Sequence, residues 1–407
     1  MAPTTPALER VAAAMDAALT PLVRDGGPPG LTWGVDLGGE RLIRALGHRD
    51  LDATLPVAED TIYRISSLTK PVTAVAALTL IEDGQLALDQ PVADLLPELA
   101  DPRALVRPDS PLTETVPARR AITVEDLLTF RLGHGMDFAT MGAPNPLDDQ
   151  LATLGLGMGP PAPQRHLPAD EWLAALGSVP LRCQPGEHWL YNTGAEVLGV
   201  LLSRVTGLSL VDVLRRQVLD PLGMPDTAFS APAPSLGRWG PCFNAADPDA
   251  TSANRLDMFD PADGQWSSPP PFEGGDAGLV STAKDYLTFA AMLRDGGSVG
   301  GTHVLSRERV EAMTTNQLSM DQLRAGGPSP DGSTGWGLGV GVALGGPTSS
   351  VVGSYGWDGG LGSAWRNDTA RGLCAVLLTN QSWMSPTPPA VTESFWSVLA
   401  AQVPLDD

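Results

Sequence analysis

The stretch YRISSLTKPVTA, residues 63–74, holds one of only two lysines in the chain. Twenty-six residues are Lys or Arg, and all but Lys70 and Lys284 are arginine. Ser67 stands three residues before Lys70, and the surrounding run SLTKPVTAVAALTLIED is apolar on most faces, so a buried helix is expected from about 67 to 83. Pro71 falls in its early turns, where a missing N–H costs least. On a helix, residues three apart share a face, so Ser67 and Lys70 are expected to touch. A serine hydroxyl is a weak nucleophile until a base takes its proton. A lysine whose ammonium is disfavoured by burial or a neighbouring cation can be that base. Arginine cannot, because it stays protonated. That contrast gives a reason for a lysine here in a chain that uses arginine almost everywhere else.

Working outward, 407 residues with 43% hydrophobic and 18% charged residues describe an ordinary globular chain with room for a large core. A formal net charge of −21 argues against nucleic acid or an anionic membrane as partner, since both call for a basic face. Cys183, Cys242 and Cys374 are odd in number and scattered, so neither a disulfide framework nor a metal site is expected; Cys374, inside GLCAVLLTN, reads as a core residue. The N-terminal MAPTTPALERVAAAMDAALTPLV is broken by Glu9, Arg10 and Asp16, which makes it an amphipathic helix rather than a signal peptide. No run approaches 18 apolar residues. A soluble cytoplasmic protein is the expectation.

Two short apolar runs around Gly38-Gly39 predict a hairpin near the start. The middle alternates helical runs, ADEWLAALGSV and GAEVLGVLLSRVTG, with Pro/Gly-rich loops, and TAKDYLTFAAMLRDGG reads as a Thr-capped helix. The last third carries strand-like runs in GWGLGVGVAL, SYGWDGGLGSAWRND and GLCAVLLTN before a closing helix. Strands at both ends with helices between predict an α/β (α+β) architecture: one antiparallel sheet from both termini, flanked by helices, plus a helical lobe. The expected division is 1–83 with 274–407 for the sheet-bearing part, and 84–273 for the helical part.

The stretch YRISSLTKPVTA resembles the Ser-x-x-Lys motif of the serine β-lactamase and penicillin-binding-protein superfamily, closest to class C β-lactamases and family VIII carboxylesterases. The resemblance continues in order through ITVEDLLTFRLGHG (122–135), QPGEHWLYNTGAEVLGVLLSRVTG (184–207), VLDPLGMPDTAFSAP (218–232), GGDAGLVSTAKDYLTFAAML (274–293) and YGWDGGLGSAWRND (355–368). It implies that Ser67 is the nucleophile and that Lys70 acts with the tyrosine of a Tyr-x-Asn motif, matched by Tyr191 in WLYNTG. The family's Asn position holds Thr193, so the amide role passes either to Asn192 or to the Thr193 hydroxyl. The Lys-Thr-Gly motif of β-lactamases is replaced by Trp357-Asp358-Gly359, as in the esterase variant. Without that lysine, penicillins should be poor substrates and neutral esters better ones. The same alignment implies an oxyanion hole from the backbone N–H groups of Ser67 and Gly360, with Asn192, Thr193, Trp357, Asp358 and Gly359 around the substrate.

The expected activity is therefore a serine carboxylesterase on small or medium esters, through an acyl-enzyme on Ser67. It needs no metal or cofactor, its partner is a small-molecule ester or amide, and its oligomeric state is open. Acyl transfer, or amidase or peptidase action on D-amino-acid substrates, would use the same intermediate. A binding or sensor module without turnover is the reading from another class. GGSVG (296–300) fits the Gly-x-Ser-x-Gly elbow, but it follows a helix end rather than a strand, so Ser298 is read as a loop residue. His134 is read as structural and Lys284 as exposed.

Overall fold

In the computed structural model of the protein, which describes residues 5–24, 27–231, 237–244, 256–345, 351–383 and 387–404, the glycine pair makes the turn that starts the sheet. Gly38 and Gly39 both take positive φ (60° and 94°), the requirement of the turn that best matches strand twist. They join β1 (Gly30–Leu37) to β2 (Glu40–Gly47) as an antiparallel hairpin. Five more strands come from the far end of the chain: β3 (Thr334–Trp336), β4 (Gly341–Ala343), β5 (Tyr355–Gly359), β6 (Ser363–Asp368) and β7 (Leu373–Thr379). The order is β3-β4-β5-β6-β7-β1-β2, antiparallel throughout. The N-terminal hairpin thus completes a C-terminal meander, with Leu31 opposite Thr379. This is the sheet expected from both termini.

Helices α1 (Pro6–Arg24), α2 (Thr69–Glu82), α3 (Thr193–Thr206), α4 (Ala283–Arg294) and α5 (Ala390–Gln402) frame it. On α1, Leu8, Val11, Met15 and Leu19 recur at helical spacing and are fully buried. They meet Trp33, Val35, Ala375 and Leu377 of the sheet and Phe395 and Leu399 of α5. Burying each such side chain stabilises the fold by about 1.5–3 kcal/mol. The opposite side of the sheet shares one continuous core with α2, α4 and the helical middle of the chain. Helix α2 is buried from Thr69 to Ile81, which explains an apolar sequence with no polar face. Thr282 caps α4 by accepting from the Asp285 N–H, and Gly207 ends α3 in the left-handed conformation.

The expected helix at 67 begins differently. Ser66–Leu68 form a 3₁₀ turn and the α-helix starts at Thr69. The cause is Ser66, whose φ of 46° no α-helix accommodates.

Candidate active site

Ser67 is held on a strained turn that its neighbours pin from several sides. A non-glycine residue at positive φ costs about 1–3 kcal/mol, so the conformation at Ser66 needs support. The Ile65 carbonyl accepts from Ser363 Oγ (2.7 Å), the Ser66 carbonyl from Thr69 Oγ1 (2.7 Å), and the Leu68 carbonyl from the Tyr286 hydroxyl (2.9 Å). Strand β5 closes against this turn because residue 359 is glycine. A Cβ there would lie 2.2 Å from Ser363 Oγ and 2.5 Å from the Ile65 oxygen.

Ser67 Oγ accepts from Lys70 Nζ at 3.0 Å and from the Tyr191 hydroxyl at 2.8 Å. Lys70 is 1% exposed and also donates to the Asp276 carbonyl (2.9 Å). Its ammonium stands 4.4 Å from the centroid of the Tyr191 ring. Tyr191 is positioned by a pair of 2.8 Å backbone bonds with Met136, while Leu190 N–H donates to the Phe130 carbonyl. Its ring sits among Phe130, Phe138, Trp189 and Trp357. Three of the four non-glycine residues at positive φ among the described residues belong to this region: Ser66, Phe130 (57°) and Asn192 (84°).

Trp357 does more than shape a wall. Its indole N–H donates to the Tyr191 hydroxyl oxygen at 2.7 Å, a bond that strengthens as that oxygen gains negative charge. Gly360 lines the same cleft as Ser67, one residue past the end of β5.

Other expectations are corrected. Thr193 does not line the cleft: it is buried in the first turn of α3, its Oγ1 3.9 Å from Met158 Sδ. Asn192 is the amide at the site, and it donates to Asp276 Oδ2 (2.9 Å). Gly359 packs beneath the nucleophile turn and leaves no surface for substrate. Asp358 lines the same cavity as Ser67 but alternates to the opposite face of β5 from Trp357, and Arg366 grips it through two bonds of 2.7 and 2.8 Å, so its charge is neutralised in place. In place of the expected cation, Lys70 Nζ meets the Asp276 backbone carbonyl, and Lys70 acts electrostatically on the Glu196 carboxyl.

Those two acids were not singled out by sequence. Glu196 projects from the first turn of α3 and is 7% exposed. Burial first, and then the Asp276 charge, push its carboxyl well above its ordinary range; Lys70 and hydrogen bonds from Thr193 and Asn192 oppose them. An acid in the apolar run GAEVLGVLL was the available signal.

The cleft is part of a cavity of about 1620 Å³ that also extends along Asp358, Arg366, Arg371 and Trp396. Met136, Phe138, Met141, Met158, Phe259 and Phe272 line it beside Ser67 and Tyr191, an apolar, adaptable wall. Among the described residues no group of three or more His, Cys, Asp or Glu side chains could hold a metal ion.

The signals set aside lie elsewhere. Ser298 sits in a two-stranded hairpin, 298–299 with 302–303, and not on an elbow. Its Oγ is 3.0 Å from His303 Nδ1, and His303 Nε2 is 3.9 Å from Glu82. The imidazole is therefore reversed relative to a catalytic triad, where Nε2 faces the serine, and its side chain is 63% exposed. His134 is buried, and burial together with Arg182 lowers its pKa to about 4. Lys284 is exposed. Burial pushes the Cys183 and Cys374 thiols up to about 12, so both are inert.

This arrangement has relatives. The family described as beta-lactamase matches residues 15–390. An uncharacterised protein of Mycobacterium tuberculosis is 37% identical over 347 residues, covering 83% of this chain and 81% of its own. Esterase EstB of Burkholderia gladioli is 30% identical over 395 residues, 93% of each chain. The solved structure of EstCE1, described as a hydrolase with promiscuous acyltransferase activity, superimposes with a TM-score of 0.78 at 22% identity, over 97% of this chain and 100% of its own. The chain belongs to the beta-lactamase family. Within it, the protein is a serine hydrolase that stands near the family VIII esterases.

Proposed function

We propose that the protein is a carboxylesterase for neutral esters with small or medium apolar acyl groups, with weak or no action on β-lactams. The observation that carries this reading is the convergence of Lys70 Nζ and Tyr191 Oη on Ser67 Oγ, at 3.0 and 2.8 Å, in an open apolar cleft. Ser67 Oγ attacks the ester carbonyl while its proton passes to the Lys70–Tyr191 pair. The oxyanion that forms is held by the N–H groups of Ser67 and Gly360. As it collapses, the C–O bond to the alcohol breaks and the stored proton leaves with the alcohol. Water, deprotonated by Tyr191, then attacks the acyl-enzyme and regenerates Ser67 with release of the acid. Trp357 supports each proton transfer by donating to the Tyr191 oxygen. The place of the β-lactamase lysine is taken by this tryptophan, and the nearby Arg366 is already paired with Asp358, which favours a neutral substrate over a carboxylate.

Acyl transfer to an alcohol is the second reading. It is favoured by a cavity of about 1620 Å³, with room for an acceptor beside the acyl group, and by the activity described for EstCE1.

The test is the initial rate on p-nitrophenyl butyrate for wild type and Ser67→Ala, with and without an added alcohol. Activity abolished in the variant supports Ser67 as the nucleophile. An ester product formed at the expense of free acid supports transfer. Equal rates in the two proteins overturn the site.

A further inference from the structure

One wall of the cleft is the stretch GLGMGPPAPQRH, residues 155–166 in the helical middle of the chain. Its glycines, prolines and Met158 present an apolar surface, and the polar side chains of this stretch that line the cavity are Arg165 and His166. The backbone that carries them is tied down. Pro163–Arg165 form a 3₁₀ turn in which the Arg165 N–H donates to the Ala162 carbonyl at 2.9 Å. The Gln164 N–H donates to Gln265 Oε1 (2.9 Å), and Gln164 Nε2 donates to the carbonyls of Gln265 (3.1 Å) and Ser268 (2.8 Å). His166 meets Phe272 edge to face, with ring centroids 5.8 Å apart, and its Nδ1 is buried without a hydrogen-bond partner.

Acids outnumber bases 47 to 26 in this chain, so an arginine has carboxylates in ample supply. Among the described residues three arginines line the cleft. Arg366 is committed to Asp358 and Arg371 to Asp368, at 2.7 and 2.6 Å. The Arg165 side chain is exposed and makes no ion pair, hydrogen bond or ring contact with any described residue. A guanidinium is a planar fork of donors whose geometry matches a carboxylate. Here the turn that presents it is fixed and the fork itself is free.

We propose that Arg165 is a specificity residue that binds a carboxylate carried by the substrate away from the reacting carbonyl, so that the favoured substrates are esters with a remote carboxylate. The inference rests on the esterase reading and narrows its substrate class. Beside the reacting carbonyl the site stays without a free cation, because Trp357 stands in the lysine's place and Arg366 is already paired. A carboxylate at the far end of the substrate instead meets Arg165, while the methylene chain between lies on the apolar wall that Met158 and its neighbours form. His166 gives the same corner a second polar group.

The test compares kcat/KM for a carboxylate ester with kcat/KM for a neutral ester of the same length, and the ratio is the preference. One series places the charge in the acyl part: monomethyl succinate, adipate and suberate against the matching methyl alkanoates. The other places it in the alcohol: acetyl esters of ω-hydroxy acids against the matching alkyl acetates. In at least one series Arg165→Gln should lower the wild-type preference by about fivefold or more, chiefly through KM, the scale of an exposed ion pair. About 0.5 M NaCl should bring the wild-type preference down toward that of the variant, because exposed charges are screened. Preferences that agree within about twofold in the two proteins across both series would overturn the proposal, and so would a loss in Arg165→Gln that salt does not reproduce. A second arm needs no turnover. Calorimetry should show the same carboxylate esters binding Ser67→Ala about fivefold more tightly than Ser67→Ala with Arg165→Gln; equal affinities, or no binding to either, would count against Arg165. Absence of Ser67-dependent hydrolysis of every ester by wild type would defeat the esterase reading alone, with the binding comparison left to judge Arg165.

Discussion

Two serines in this molecule stand 3.0 Å from a basic side chain, Ser67 with Lys70 and Ser298 with His303. On paper the second pair is the more familiar one, with Glu82 lying behind the imidazole. The surroundings separate them. Ser67 sits on a turn pinned by three carbonyl bonds, 8% exposed, with a second hydroxyl from Tyr191 on its oxygen and a cleft in front. Ser298 lies on a two-residue strand beside an imidazole that is mostly in water. Water competes for every bond such a pair makes, and an exposed charge is worth little. Burial and over-determined geometry thus set the candidate nucleophile apart, with the base as only one ingredient.

Three substitutions break or sharpen this contrast. The largest effect is expected from Lys70→Arg. The guanidinium keeps the charge but neither titrates nor fits a compact, fully buried ammonium site. The esterase rate should fall about as far as in Ser67→Ala, because residues that work as one unit are not additive; a rate near wild type would remove Lys70 from the proton path. Tyr191→Phe comes next. It deletes the hydroxyl that bridges Ser67 Oγ and the Trp357 indole, and steady-state kinetics should show a loss of about 10²–10⁴-fold. A loss under threefold would leave Lys70 as the sole base. The smallest effect belongs to Ser298→Ala: kcat/KM should remain within about twofold of wild type. A substantial loss would show that the hairpin serine contributes after all.

Much of this was legible in residue order. The Ser67–Lys70 spacing, the Gly38-Gly39 turn and the Thr282 cap depend on local chemistry, and local chemistry is written in neighbouring residues. The acids were harder to see. Asp276 and Glu196 are 80 positions apart, and the Asp276 carbonyl meets Lys70 from a loop that Gly275 lets press against α3. Thr193 and Asp358 show the converse. Each occupies a motif position, but one is turned into a helix start beside Met158 and the other to the far face of its strand, against Arg366. A motif states which residues are near one another along the chain, whereas one step along a strand or past a helix cap reverses the direction of a side chain.

By itself, then, the sequence determined the family and the antiparallel sheet from both termini, and it singled out Ser67, Lys70 and Tyr191 as the candidate catalytic residues. The sheet follows from turn residues and strand-like runs and the Ser67–Lys70 contact from helical spacing, whereas the family and Tyr191 follow from the resemblance of the motifs in order. The tertiary structure alone decided that Trp357 donates to Tyr191, that Asp358 is neutralised, and that Lys70 is held by the Asp276 carbonyl with the buried Glu196 in the same cleft. Those outcomes depend on burial and on contacts between distant segments, which set the charge and hydrogen-bond partners of a side chain and are fixed only when the core closes.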